Sequence, residues 1–181
     1  MADFNADGSP DLVVVGGGPT PKVLVLINNG SGTGFSPAAG SDLLGAPSDL
    51  AVGDLTGDGK PDAAVLEGGN DVIQVFPGIG DGTFGSPIGL ILPSGSGGVR
   101  VAVGDINSDG VVDVLALNRG PGSVSTFLNQ AGGFTAGQTP INSNVGANPI
   151  AFSVFDFNGD AKLDAAVAND AGVGGIFLGG P

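Results

Sequence analysis

The chain repeats one acidic nonapeptide four times at a constant spacing of 51 residues. The copies begin at Asp3, Asp54, Asp105 and Asp156, and each follows the pattern Asp-x-Asn/Thr-x-Asp-Gly/Ala-x-x-Asp. One such nonapeptide could arise by chance, but four at a single spacing could not. A period of about 50 residues indicates a protein built from repeated structural units that stack on one another.

Short apolar runs on both sides of each nonapeptide predict β-strands. In the second repeat, residues 50–53 precede the nonapeptide and residues 63–66 follow it. These runs are rich in β-branched or small residues and end at Gly, Pro, Asn or Asp, which is typical of short strands that are apolar on both faces. A Gly-rich turn then leads to a third run, and the remaining stretch of about fifteen residues has room for a fourth, outer strand. The third runs are residues 23–27, 72–76, 124–128 and 176–178.

The predicted fold is therefore all-β, a β-propeller of four-stranded antiparallel blades with four nearly complete repeats of 51 residues. One propeller region is expected over residues 1–181, with repeats at approximately 1–49, 50–100, 101–151 and 152–181, the last one truncated. A β-helix is the main alternative, but its coils are usually shorter than this repeat.

The four predicted strands of the unit do not all occur four times in the sequence. The run before the nonapeptide is complete three times, and the outer strand also has room only three times. The sequence thus predicts part of a larger ring, with open edges at both ends that allow self-association.

Oxygen-bearing residues at alternate positions of each nonapeptide predict a Ca²⁺ site, because Ca²⁺ takes six to eight hard oxygen ligands. We call residues 3–11, 54–62, 105–113 and 156–164 loops 1 to 4. The predicted ligands of loops 1 and 2 are Asp3, Asn5, Asp7, the Ser9 carbonyl and Asp11, then Asp54, Thr56, Asp58, the Lys60 carbonyl and Asp62. Those of loops 3 and 4 are Asp105, Asn107, Asp109, the Val111 carbonyl and Asp113, then Asp156, Asn158, Asp160, the Lys162 carbonyl and Asp164.

The sixth position of each loop is expected to take a sharp bend with positive φ. Gly8, Gly59 and Gly110 adopt such a conformation without strain, whereas Ala161 replaces the glycine in loop 4. Up to four Ca²⁺ ions are expected, with the fourth site the weakest.

The charge distribution favours metal binding over the alternative, which is four acidic turns without a metal. The net charge is −13, and 12 of the 18 acidic residues lie in the four loops, where they would repel one another without a cation. Mg²⁺ fits less well, because it prefers to keep its water ligands. A net charge of this sign also argues against binding to nucleic acid or to an anionic membrane surface.

An EF-hand also begins with Asp-x-Asn-x-Asp-Gly, but its twelfth position is a bidentate Glu followed by a helix. That position is occupied here by Val14, Val65, Ala116 and Val167, which lie in the predicted strands. The ninth-position Asp is expected to close the loop instead.

The acidic loops between strands, with the segment Gly80-Asp-Gly-Thr-Phe84 after a third strand, resemble FG-GAP/VCBS repeats. Such repeats form the propeller of integrin α-subunits and of many secreted proteins, including some lectins. The resemblance implies a seven-bladed ring, an extracellular location, and a Ca²⁺ loop that joins the first and second strands of each blade.

Three functional classes fit the chain to different degrees. The favoured one is a non-catalytic, calcium-binding extracellular scaffold or adhesion module whose protein or glycan ligand the sequence does not name. A carbohydrate-binding lectin is the alternative, although the chain has no Trp or Tyr on which a sugar could stack. An enzyme is not expected, because His, Cys and Tyr are absent and the carboxylates are committed to the loops.

Overall fold

The computed structural model describes residues 1–31, 33–130, 133–170 and 175–177. Within these ranges the regular structure consists of strands, which form four separate antiparallel sheets, one for each repeat. None of the described residues belongs to a helix that is long and apolar enough to span a membrane.

Each sheet is a short run of neighbouring strands. Sheet 1 contains β1 (Leu12–Gly16), β2 (Lys22–Asn28), β3 (Phe35–Pro37) and β4 (Ser41–Asp42). Sheet 2 contains β5 (Asp49–Gly53), β6 (Asp62–Glu67), β7 (Val72–Phe76) and β8 (Ile88–Ile91). Sheet 3 contains β9 (Gly98–Gly104), β10 (Asp113–Asn118), β11 (Ser123–Phe127) and β12 (Ile141–Asn144). Sheet 4 contains β13 (Pro149–Phe155), β14 (Asp164–Asn169) and β15 (Gly175–Phe177).

The prediction of an all-β fold with four-stranded antiparallel units is confirmed. Sheets 2 and 3 are simple meanders, in which the strands pair in chain order. In sheet 1 the outer strand is divided, since both β3 and β4 pair with β2. Sheet 4 has three described strands, and Leu178, the last residue of its predicted third strand, lies outside the described residues.

The middle strands are buried on both faces, as their unbroken apolar sequence predicts. All six residues of β6 and all six of β10 are buried. Ala63 and Val65 pack into the cluster shared with sheet 1, whereas Ala64 and Leu66 pack into the cluster shared with sheet 3. Because side chains alternate between the two faces of a strand, one strand contributes to two hydrophobic cores.

Successive sheets pack face to face and bring their first strands close together. Strand β5 lies against β9, and β9 lies against β13. The Val101 amide donates to Asp49 Oδ2 at 3.0 Å, which joins two first strands directly. A Cβ added at Gly53 would lie 3.2 Å from Val103 Cγ2, so the close approach of the neighbouring sheet favours glycine there.

Glu67, at the end of β6, predicts a pH dependence of stability. Its carboxylate is buried and accepts hydrogen bonds from the Leu44 amide and from Asn70 Nδ2, both at 3.3 Å. Burial raises the pKa of Glu67 above its ordinary value of 4.5. The folded protein therefore holds a proton that the unfolded chain releases, and the contribution of Glu67 to stability falls as the pH rises from the ordinary pKa through the folded one.

We expect the Glu67→Gln variant to lose this fall, because glutamine does not titrate. Urea unfolding between about pH 4 and 7 measures the slope for both proteins. An unchanged slope in the variant would contradict the assignment to Glu67.

Candidate metal centre

The four acidic loops occupy the same place in every repeat, at the end of each sheet where a first strand leads into a second. Loop 2 joins β5 to β6, loop 3 joins β9 to β10, and loop 4 joins β13 to β14. Loop 1 leads into β1, and Ala2 forms an isolated bridge to Asp11 at its base. The loops are therefore presented side by side by a common scaffold.

All four loops have the same backbone conformation at two positions. The sixth residue has positive φ in each, and Ala161, with φ of 66°, adopts the conformation that glycine takes in the other three loops. The fourth residue also has positive φ, which the sequence analysis did not identify. The fourth residues are Ala6, Gly57, Ser108 and Gly159. The sequence feature that could have predicted this conformation is the glycine at two of these positions, Gly57 and Gly159.

The first aspartate of each loop organises the turn by accepting backbone N–H groups. Asp54 Oδ1 accepts from the amides of Gly57 at 2.7 Å and Asp58 at 3.1 Å, and Asp54 Oδ2 accepts from Gly59 at 2.9 Å. Equivalent bonds bind Asp3, Asp105 and Asp156 to the fifth and sixth amides of their own loops. The carboxylate of the first aspartate thus fixes the backbone of the loop that carries the other predicted metal ligands.

The third and fifth residues form a second set of contacts in the exposed part of the loop. In loop 1, Asn5 Nδ2 donates to Asp7 Oδ2 at 2.8 Å, and Asp7 Oδ1 accepts the Ser9 amide at 2.8 Å. Asn107 with Asp109 and Asn158 with Asp160 repeat the first contact. In loop 2 the third residue is Thr56, and Lys60 Nζ lies 3.2 Å from Asp58 Oδ2.

The ninth aspartate is buried and connects its loop to the rest of the sheet. Asp62 Oδ2 accepts the amides of Leu55 at 2.7 Å and Thr56 at 2.9 Å, and its Oδ1 accepts the Gly78 amide at 2.6 Å. Asp11 and Asp113 make equivalent bonds, with the Asn28 and Asn129 amides in place of that of Gly78. The ninth aspartate thus binds the start of the turn to the end of the third strand, and its role as a metal ligand remains a prediction.

The electrostatics differ between the two ends of the loop. Burial raises the pKa of Asp62, and it also raises the pKa of Asp113, to which the negative charges of Asp109 and Asp105 contribute. In the exposed part, the Asn5 side chain and the Ser9 amide lower the pKa of Asp7. A cation at the loop would favour the ionised form of all these carboxylates.

The donor set fits Ca²⁺. In the described part of the chain, no three acidic side chains are gathered closely enough to hold a metal by themselves, so amide, hydroxyl and carbonyl oxygens must complete any site. Such a mixture of neutral and charged hard oxygens is typical of Ca²⁺ sites. In loop 2, the Thr56 hydroxyl oxygen is shielded from solvent and makes no hydrogen bond of ordinary length, although it lies close enough to the Asp62 and Asp58 carboxylates to act on the pKa of both. An oxygen in this state, at a predicted ligand position, is consistent with a metal ligand.

Backbone strain predicts that the four loops differ in stability and in Ca²⁺ affinity. Loops 1, 3 and 4 each hold one non-glycine residue at positive φ, whereas loop 2 has glycine at both positions. We expect Ala161→Gly to stabilise loop 4 by about 1 kcal/mol and Gly59→Ala to destabilise loop 2 by a similar amount. Calorimetric titration with Ca²⁺ would show the same order of affinities. A tighter site in Gly59→Ala would contradict this loop geometry.

The sheets and loops together define a repeat protein in which loops 2 to 4 join the first two strands of their antiparallel sheets and loop 1 leads into β1. The family model described as FG-GAP-like repeat matches residues 3–65, 54–116 and 105–167. The chain therefore belongs to the FG-GAP-like repeat family, which confirms the resemblance seen in the sequence.

Two solved structures are similar to this chain. The Tc holotoxin pore of Photorhabdus luminescens matches 92% of this chain and 8% of its own, with 19% identity and a TM-score of 0.52. The biofilm matrix protein Bap1 of V. cholerae matches 96% of this chain and 28% of its own, with 22% identity and a TM-score of 0.48. The chain thus spans a small part of both proteins, and the likeness to the Tc holotoxin pore concerns the fold alone. No curated protein sequence matches the chain significantly.

Proposed function

We propose that the protein is a non-catalytic, calcium-binding scaffold or adhesion module of the β-propeller type. The observation that carries this proposal is the positive φ that all four acidic loops share at their fourth and sixth residues, together with the buried ninth aspartate of each loop. A turn without a metal does not need three carboxylates, and these would repel one another. Repetition of the whole donor set in four sheets favours a common ligand.

The residues of each loop have two different roles in the proposed binding of Ca²⁺. The ninth aspartate and the first aspartate hold the backbone by accepting N–H groups, which leaves further lone pairs on both carboxylates for a metal. The third and fifth side chains lie in the exposed part of the loop, where they can reorient. Bound Ca²⁺ would neutralise these carboxylates and cross-link the loop.

The packing of successive sheets supports a propeller. The first strands β5, β9 and β13 are neighbours, and small residues such as Gly53 allow them to approach closely. In a propeller the first strands of all blades crowd around one axis. We therefore propose that the four sheets are consecutive blades of such a ring.

An extracellular location fits the proposed sites. Loops with this set of ligands belong to the range of affinities of extracellular modules, with Kd of about 0.1–1 mM. Calcium is abundant enough outside cells to fill such sites. Four bound Ca²⁺ ions would bring the formal charge from −13 to −5.

Isothermal titration calorimetry tests the proposal directly. Addition of Ca²⁺ to the EDTA-treated and dialysed protein should give saturable binding of up to four ions, whereas Mg²⁺ should bind more weakly. A variant with Asp7, Asp58, Asp109 and Asp160 all changed to Asn is the matched control, because it keeps the shape of each loop. Equal binding of Ca²⁺ by this variant, or no binding by the original protein, would contradict the proposal.

Self-association is expected through the two outer faces of the array. Phe155 and Phe157 are 64% and 43% exposed on the side of sheet 4 that faces away from sheet 3. In the preceding repeats the residue equivalent to Phe157 packs against the next sheet, as Leu55 does. The opposite outer face, on sheet 1, carries the half-buried side chains of Leu12 and Leu24. We propose that the outer face of sheet 1 in a second copy covers the outer face of sheet 4, in the way that successive sheets cover each other.

The variant with Phe155→Ser and Phe157→Ser should then be monomeric at concentrations where the original chain forms dimers or larger species. Light scattering during size-exclusion chromatography measures this mass. Ile141→Ser, which changes an exposed apolar side chain on β12 of sheet 3, is a control that should not alter it. A wild-type chain that stays monomeric at all concentrations would contradict the proposal.

A further inference from the structure

Asn129, just after β11, contacts two neighbouring acidic loops at once. Its side-chain Nδ2 donates to the carbonyl of Leu55 in loop 2 at 2.8 Å and to the carbonyl of Val112 in loop 3 at 3.0 Å. Its backbone amide donates to Oδ1 of Asp113, the ninth aspartate of loop 3, at 2.7 Å. Asn129 is 1% exposed, so these bonds are shielded from water.

The chemistry of the site fixes the orientation of this amide. Both partners of Nδ2 are carbonyl oxygens, which accept hydrogen bonds and cannot donate them. The Asn129 Oδ1 atom is left buried without a partner. Burial of an unpaired polar atom costs about 1–3 kcal/mol. The residue tolerates this cost while its two donors hold the loops together.

Leu55 is the residue of loop 2 that Asn129 contacts, and three interactions hold it in place. Its amide donates to Oδ2 of Asp62, the ninth aspartate of loop 2, at 2.7 Å. Its side chain is buried in the cluster between sheets 2 and 3. Its carbonyl accepts from Asn129. A movement of loop 2 that displaces Leu55 therefore acts on Asn129, and through its backbone amide on Asp113.

The equivalent positions in the other repeats provide internal controls. In sheet 1, Asn28 donates its amide to Asp11 and its side chain to the Pro10 carbonyl at 3.1 Å, but it contacts only loop 1. In sheet 2 the position is Gly78, where a Cβ would overlap the Pro61 carbonyl. There the bond to the preceding loop comes from the Gly82 amide, which donates to the Phe4 carbonyl at 2.8 Å.

We propose that Asn129 is a positioning residue that couples loops 2 and 3, so that Ca²⁺ at either site strengthens binding at the other. This inference rests on the proposed calcium function. Its physical basis is linkage, since two sites that stabilise the same arrangement of a shared residue raise each other's affinity by the same factor. The coupling is specific to loops 2 and 3, because among the described residues Asn129 is the side chain whose hydrogen bonds reach two acidic loops.

The test follows loop 2 while site 3 is disabled. Hydrogen exchange of the amides of residues 54–60 is measured during Ca²⁺ titration, with and without the change Asp109→Asn in loop 3. In the original background, Asp109→Asn should raise the Ca²⁺ concentration that protects loop 2 by about fivefold or more. In the Asn129→Ala background the same change should have no effect on loop 2. Asn28→Ala is the matched control, and it should leave the coupling unchanged.

Different results separate the two proposals. Absence of any Ca²⁺-dependent protection would overturn the calcium function itself. Protection of loop 2 that is insensitive to Asp109→Asn would leave that function intact and overturn the coupling. If Asn129→Ala does not fold, Asn129→Ser, which keeps one hydroxyl donor, takes its place. The Asp109→Asn comparison in the original background still decides whether loops 2 and 3 are coupled. Coupling that persists fully in the folded Asn129 variant would show that another contact carries it.

Discussion

Removal of calcium is expected to lower the stability of the protein by about 5–6 kcal/mol at about 1 mM Ca²⁺. A site with Kd of about 0.1 mM adds about 1.4 kcal/mol at this concentration, and four such sites add together. For a chain of this size, such a loss lowers Tm by about 10–20 °C. Thermal unfolding followed by circular dichroism, in Ca²⁺ and in EDTA, measures the difference.

Two controls make this result specific. Mg²⁺ at the same concentration should restore only a small part of the lost stability, because it prefers fewer protein ligands. The variant with Asn at the fifth position of every loop should melt at nearly the same temperature in Ca²⁺ and in EDTA. An original protein that is folded in EDTA and melts there as it does in Ca²⁺ would contradict the calcium proposal.

The variant Asp62→Ala is expected to lose about 3 kcal/mol or more even in EDTA, because the ninth aspartate has a structural role that does not depend on a metal. Asp62 is 0% exposed and accepts the amides of Leu55, Thr56 and Gly78. Alanine would leave these donors without an acceptor, and each unsatisfied buried group costs about 1–3 kcal/mol. Urea unfolding in EDTA measures the loss.

Asp58→Ala in the same loop is the matched control. Asp58 is exposed and accepts one backbone amide, that of Lys60. We expect this variant to lose much less stability in EDTA than Asp62→Ala, but to lose the calcium-dependent stability of loop 2. Equal stabilities of the two variants in EDTA would show that the bonds of Asp62 do not hold the loop.

The local structure of the loops could be predicted from the sequence because it depends on contacts within nine residues. The bend at Gly59 and the strands on both sides of the loop follow from local residue preferences. The unbroken run of apolar residues in β6 likewise predicted burial on both faces. The positive φ of Ala6 and Ser108 escaped prediction, because neither residue type signals that conformation.

The repeat by itself determined the family, the four antiparallel units and the position of each acidic loop between two strands. Only the tertiary structure decided which residues connect the loops. Asn129 and Leu55 are 74 residues apart in sequence, and Gly82 meets Phe4 across two sheets. The reason is physical: a hydrogen bond between sheets depends on how closely their side chains let them pack, and this distance is set by the whole core and not by any local run of residues.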